Sequence, residues 1–310
     1  MSKQMRGNTL LFITAFIWGS AFVAQRTGMD YIGPFTFSAV RFIIASITLI
    51  PVIKFFSPNS KLNDDGSEKT QIELTKDKKI LIKGGVICGI ILFVGSMLQQ
   101  IGLQYTTAGK TGFITALYVV LVPIIGSLFF HTKVPKLTWF CAALATVGLY
   151  LLSISGSDFV ISKGDTLVFI CAFAFAIHIL VIGHFSPITD GIKMSAIQFL
   201  VAGILATIFM FVLETPEIPS ILDATVPILY AGILSAGIGF TFQIVAQKDT
   251  DPTIASLILS LESVFAVIAG ALILNETMTM REIIGCVIMF IAITLAQLPP
   301  TNKRKFKQAN

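Results

Sequence analysis

One carboxylate, Glu262, stands about twelve residues into the apolar run 251–274, a length that suits a bilayer-crossing helix. Charged groups at the centre of such a helix cost about 2.5–3.5 kcal/mol on insertion scales. They therefore tend to face a bundle interior or a wet cavity. Glu262 is placed to bind and release a proton or to capture a cationic substrate. The structural alternative is a carboxyl held by the hydroxyls of Ser260 or Ser263, or by an arginine. Arg41 is the matching base, a third of the way into the run 34–55. Ser38, Arg41, Ala45 and Thr48 share one helical face, small and polar enough to point into a bundle. A guanidinium fork there can recognise a substrate carboxylate. The alternative is a structural pair with Glu262 or with a helix-end carbonyl.

Amides and aromatics supply the remaining candidates. Ser235, Gly239, Gln243 and Gln247 follow four-residue steps, as do Ser96, Gln100 and Gln104, with Gln99 beside them. They serve either close helix packing with interhelical hydrogen bonds or an amide-lined cavity wall. Tyr118 shares a face with Thr111 and Thr115 and can offer a ring and a hydroxyl. His178 lies mid-run at 164–184, as a hydrogen-bonded core histidine or a proton relay with Glu262. Trp18 is an aromatic wall candidate, or plain packing. Gln198 keeps hydrogen-bonding capacity where the first half has Arg41. The expected substrate-binding set is thus Trp18, Arg41, Gln99, Tyr118, Gln198, Gln243 and Glu262, with Glu262 and His178 as proton-coupling candidates. Glu276 reads as a structural turn residue.

The elements that must position these groups follow from composition. Of 310 residues, 55% are hydrophobic and 13% charged, with mean hydropathy +0.85. Soluble domains carry about 25% charged residues, so the chain is expected to be an integral membrane protein. Ten apolar runs can be drawn: 8–26, 34–55, 80–105, 108–130, 137–155, 164–184, 191–213, 224–247, 251–274 and 280–298. They are continuous and lack strict alternation, so helices are expected and barrel strands are not. With a cytoplasmic N-terminus, seventeen of the 22 Lys and Arg fall inside. Arg26, Lys110, Lys163 and Arg281 fall outside, and Arg41 lies within a helix. This positive-inside bias places both termini in the cytoplasm and argues against reading the +5 charge as a nucleic-acid surface.

Self-comparison divides the chain. Residues 7–43 align with 164–200 at an offset of 157, with ten identities that include Gly7, Phe16, Ser38 and Phe42. Residues 95–151 align with 239–295 at an offset of 144, pairing Gly95 with Gly239, Gln99 with Gln243 and Tyr118 with Glu262. Five helices per copy is odd, so the second copy enters the membrane inverted, as in alternating-access transporters. The expected organisation is an all-α integral membrane fold of ten transmembrane helices in two inverted five-helix repeats. The first repeat occupies 1–155 with a polar cytoplasmic loop at 57–79, the second 156–298, and a basic tail 299–310. The four cysteines all fall in apolar runs and form no CxxC pair, so they read as small buried hydrophobes.

Phe16-Ile17-Trp18-Gly19-Ser20-Ala21-Phe22-Val23, then Ala39-Val40-Arg41-Phe42, then Leu257 to Phe265 around Glu262, and Leu274-Asn275-Glu276, resemble the EamA family of the drug/metabolite transporter superfamily. The resemblance implies ten helices, two inverted repeats and a central cavity, with amino acids and other metabolites among exported solutes. Two positions depart from the family pattern: Ser263 replaces the proline after the acid, and His131-Thr132 replaces the Gly-Glu that closes the fourth helix. No motif for an enzyme, cofactor, metal or ATP site occurs. The resulting expectation is an inner-membrane secondary transporter for a small amphipathic solute such as an amino acid, working by alternating access. Efflux is implied by the resemblance alone. The competing expectation is a non-transporting scaffold or a subunit of a lipid-modifying complex, which would lack an aqueous midplane cavity.

Overall fold

Helix boundaries follow the capping chemistry of the polar residues between the apolar runs. Thr70 accepts from the Glu73 amide while Glu73 reaches back to the Thr70 amide, and Ser162 and Asp165 repeat this arrangement. Such reciprocal caps satisfy amides that would otherwise lack partners at a helix start. The computed structural model describes residues 3–57, 68–106, 108–129, 131–132, 134–153, 162–273 and 279–296. The turn at Glu276, most of the loop between 57 and 68, and the basic tail lie outside these.

The first half contains α1 (Lys3–Gly28), α2 (Pro34–Phe56), α3 (Gln71–Leu103), α4 (Ala108–Ala116), α5 (Tyr118–Phe129) and α6 (Lys136–Ser153). The second contains α7 (Lys163–Phe185), α8 (Gly191–Leu213), α9 (Ile218–Asp223), α10 (Thr225–Leu229), a π-helical segment Tyr230–Phe240, α11 (Thr241–Ala246), α12 (Pro252–Leu259), α13 (Glu262–Ile273) and α14 (Met280–Ala296). Among the described residues there are no strands. Among the described residues eight helical stretches are long and apolar enough to cross a membrane. Two shorter apolar helices, Lys136–Leu151 and Ile283–Ala296, accompany them. One expectation needs correction: the connector 57–79 is not loop throughout, because the Thr70–Glu73 cap starts α3 at Gln71.

Large apolar side chains such as Phe16, Ile47, Phe140 and Phe211 are exposed around the bundle. In water they would form an aggregating surface; against lipid tails they are matched. Inside, α2 lies along α8, α3 along α7, and α6 along α14. Helix α1 packs on the π-helical segment, α11 and α13. Helices α2 and α8 are tied at both ends. Glu214, the C-cap of α8, accepts from the amides of Phe35 (2.9 Å) and Thr36 (2.7 Å) at the start of α2. At the other end Ser57, the C-cap of α2, donates to Asp190, which also caps α8 through the Ile192 and Lys193 amides.

Candidate functional site

Two helical spans break at positions related by the offset of 144. The first is interrupted at Leu117, between α4 and α5, and the second at Ser260 and Leu261, between α12 and α13. At each break the ladder tightens to a three-residue step: Leu117 N donates to Ile114 O and Leu261 N to Ile258 O, both at 3.2 Å. Serines assist the second break. Ser256, Ser260 and Ser263 each return their hydroxyl to the carbonyl three residues earlier. Such back-bonding bends helices. The Ser263 hydroxyl takes the Ser260 carbonyl at 2.6 Å.

Tyr118 and Glu262 are the first residues after the two breaks, and they meet. The Tyr118 hydroxyl donates to Glu262 Oε1 at 3.0 Å. Glu262 is 3% exposed and Tyr118 2%. The hydroxyls of Ser260 and Ser263 are committed to backbone, so the carboxylate is held by the tyrosine and not by its serine neighbours.

Around this pair lies a cavity between the helices. Trp18, Phe22, Phe175 and Phe240 give it aromatic walls; Gln99, Gln243, Ser96 and Ser235 give it polar ones. Gln99 Nε2 donates to Thr115 Oγ1 at 3.0 Å, while Gln243 Oε1 is buried without a hydrogen-bond partner. Arg41 reaches the same cavity from α2. Its Nη1 donates to Gln25 Oε1 at 2.8 Å, its guanidinium carbon lies 4.7 Å from the Phe42 ring centroid, and its Nε has no partner. The alternative of a structural pair between Arg41 and Glu262 is not realised: the two share one cavity, but no ion pair joins them among the described residues. Gln25 takes the guanidinium instead. The acid and the base therefore both keep bonding capacity toward the space between the helices.

Seven of the eight expected site residues line this cavity: Trp18, Arg41, Gln99, Tyr118, His178, Gln243 and Glu262. Gln198 stands behind the wall, fully buried, and its Oε1 lies 3.1 Å from His178 Nε2. No direct bond joins His178 to Glu262, so a relay between them would need an intervening water. Gln247 and Gln100 turn out to serve packing. Gln247 donates to the Ile179 carbonyl and Gln100 to the Gln25 carbonyl. Sequence reasoning missed Phe22, Gln25, Phe175 and Phe240. Two signals were available for three of them. Trp18, Phe22 and Gln25 follow the i, i+4, i+7 spacing of one helix face, and Phe175 is the offset partner of Trp18. Phe240 is the offset partner of Ser96, and a change from serine to phenylalanine hides that relation. The four cysteines are free and buried, and no group of His, Cys, Asp and Glu among the described residues could hold a metal ion.

A family model described as the EamA-like transporter family matches residues 5–154 and 162–297. A protein of Archaeoglobus fulgidus named an uncharacterized transporter is 30% identical over 296 residues, covering 96% of this chain and 87% of that protein. YedA of Escherichia coli K12, named an uncharacterized inner membrane transporter, is 22% identical over 295 residues, covering 93% and 89%. A solved crystal structure superposes with a TM-score of 0.72 at 15% identity, covering 94% of this chain and 96% of the other. That likeness concerns the fold alone.

Proposed function

Since the chain belongs to the EamA-like transporter family and is a multi-pass membrane protein, we propose that it is a secondary transporter moving a small metabolite, an amino acid or a similar amphipathic solute, through the cavity between its halves. The carrying observation is the pair of unjoined opposite charges in one buried cavity. Glu262 with its tyrosine and Arg41 with its glutamine line the same aromatic chamber. A zwitterion fits that distribution: its ammonium meets the carboxylate, its carboxylate meets the guanidinium, and its apolar body meets Trp18, Phe22 and Phe240. Export is the direction suggested by the family resemblance.

The architecture behind this reading is ten spans in two inverted repeats, residues 1–155 and 156–298, with both termini cytoplasmic. Contacts between repeat-related residues support it, because such contacts arise on a two-fold axis. Tyr118 and Glu262 differ by 144 and are hydrogen-bonded. Phe42 and Phe199 differ by 157 and stack at 6.1 Å with 15° between rings. Helix pairing follows the same rule: α2 meets its partner α8, and α6 meets α14. Broken helices at a midplane site, as at Leu117 and Leu261, belong to alternating-access folds. Proton coupling through Glu262, with His178 as a second candidate, is part of the proposal.

The test is a thermal-shift screen of the purified protein against a metabolite library, followed by flux measurement in proteoliposomes with the stabilising compound. Only ligands favouring the folded state raise the melting temperature. Glu262→Gln is expected to fold and to lose proton-coupled flux; full coupled flux from that variant would exclude the proton role. A scaffold would show no solute-dependent stabilisation, and cysteines placed at 99, 118 and 243 would resist aqueous thiol reagents.

A further inference from the structure

The two halves are not related by one constant offset along their third helices. At one end, a side chain added to Gly89 would meet the Gln198 carbonyl at 2.7 Å, and one added to Gly232 would meet the Arg41 carbonyl at 3.0 Å. Arg41 and Gln198 are partners at 157, so Gly89 and Gly232 are equivalent, and they differ by 143. The core around them agrees: Cys88 packs in one cluster with Met194, and Ala231 in another with Phe37. Cys88 and Ala231 again differ by 143, while Phe37 and Met194 differ by 157. At the other end the offset is 144. A side chain added to Gly95 would meet the Phe175 ring at 3.4 Å and one added to Gly239 would meet Trp18 Nε1 at 2.6 Å, with Trp18 and Phe175 partners at 157. A side chain added to Gly164 would meet the Gly102 carbonyl at 2.5 Å and one added to Gly7 the Ala246 carbonyl at 3.1 Å, again 144 apart at 102 and 246.

Between Gly232 and Gly239 the second half therefore holds one residue more than the first half holds between Gly89 and Gly95. That interval lies inside the π-helical segment Tyr230–Phe240, the form a helix takes when it absorbs an extra residue without shifting its ends. Helix α1 braces the insertion. Trp18 Nε1 donates to the Ser235 carbonyl at 3.1 Å, Thr14 Oγ1 to the Gly239 carbonyl at 3.1 Å, and the Tyr230 hydroxyl lies 2.5 Å from Ser20 Oγ. Phe175, the partner of Trp18, has no N–H to offer, and the unexpanded α3 makes no such demand of it. The insertion changes the cavity wall. Ser235 lines the cavity, whereas the first-half positions at the two offsets, Ile91 and Leu92, do not. The Ser235 hydroxyl makes no hydrogen bond to the described protein.

From this we infer that Ser235 is a specificity-determining residue, placed at the cavity by a one-residue insertion found in the second half only, and that the transported solute carries a third polar group besides its two charged ones. The inference rests on the transport reading: Arg41 and Glu262 account for the charges of a zwitterion, and the unpartnered hydroxyl offers a further contact for an O–H or N–H on its side chain.

Two arms test it separately from that reading. In the first, Ser235→Cys and Leu92→Cys are made singly in the full chain and exposed to a small cationic methanethiosulfonate, with labelling read at each site by peptide mass spectrometry. Ser235→Cys is expected to label at least about tenfold faster; equal rates would overturn the inference, since both halves would then present the same wall. In the second, binding is measured on wild type and Ser235→Ala with the near-isosteric pairs threonine/valine and tyrosine/phenylalanine. One neutral hydrogen bond corresponds to roughly a five- to tenfold preference for the hydroxylated member. Wild type is expected to show it and Ser235→Ala to lose it. A preference unchanged in Ser235→Ala overturns the inference. Binding by none of the four amino acids overturns the third-polar-group claim and the amino-acid reading together, and selective labelling at 235 would then support the insertion alone.

Discussion

Glu262 receives its hydrogen bond on the protein from one hydroxyl, so Tyr118→Phe is a sharp change. The ring and its packing stay, and only the donor at 3.0 Å goes. Losing one partner of a buried polar pair costs about 1–3 kcal/mol. Tyr118→Phe is expected to lower the melting temperature of the purified protein, and Tyr118→Phe combined with Glu262→Gln to recover part of the loss; a fully additive double variant would show that the two side chains are uncoupled. Arg41 is more demanding. Gln25 and the Phe42 ring use a planar fork, which lysine does not supply. Arg41→Lys is therefore expected to weaken solute binding at least about tenfold while keeping the charge, and wild-type affinity in that variant would count against a guanidinium role. At this scale the sequence was informative where chemistry was expensive. A mid-span acid and base stood out because lipid penalises them. Gln25 did not, because a glutamine near the end of a helix has many ordinary uses, and only its distance from Arg41 reveals its role.

Among the elements, the apolar runs located the helices well, since each run's length is set by the bilayer. The breaks were not legible. Leu117, Ser260 and Leu261 have no residue type that forbids a helix; at the second break hydroxyl back-bonds and packing against α1 accompany the interruption. Gly19 makes that packing possible: a methyl there would lie 2.6 Å from the Glu262 carbonyl and 2.8 Å from the Ala266 amide. Gly19→Ala is expected to destabilise by about 1–3 kcal/mol, the range for overpacking, measurable as a lower melting temperature. The break also predicts where proline is tolerated. Ser263→Pro falls in the first turn of α13, where the Ser263 amide makes only a long three-residue bond to the Ser260 carbonyl at 3.3 Å, and should shift the melting temperature little. Val267→Pro falls inside the continuous part of α13 and should cost about 3 kcal/mol or more. Equal effects at the two positions would mean that α12 and α13 are one unbroken helix in the membrane. The π-helical segment was equally hidden, because one inserted residue leaves hydropathy unchanged and shows only as a slip in the repeat offset.

For the whole molecule, the proposed two-fold relation would separate contacts that persist from contacts that break during transport. On that architecture helices α2 and α8 meet on the axis, through Phe42 and Phe199, and they are tied at both ends by Glu214 and by Asp190. A pair fastened alike at both ends has no reason to open toward either side. The contact of Thr106 with Asp165 is different. Thr106 Oγ1 donates to Asp165 Oδ1 at 2.6 Å, and Lys110 Nζ lies 3.9 Å from Asp165 Oδ2, joining the end of α3 to the start of α7. Its offset partners, Thr250 and Asn8, carry no carboxylate. If the halves rock about the axis, the Thr106–Asp165 contact must separate each time that end opens, and the α2–α8 ties need not. A cross-link between Thr106→Cys and Asp165→Cys is therefore expected to reduce flux in proteoliposomes to background and to release it on reduction. A cross-link between Ser57→Cys and Asp190→Cys should leave at least about half the flux. The reverse pattern would place the moving interface between α2 and α8 and would discard the axis as the centre of motion, because alternating access requires the site to open by differential separation of its two ends.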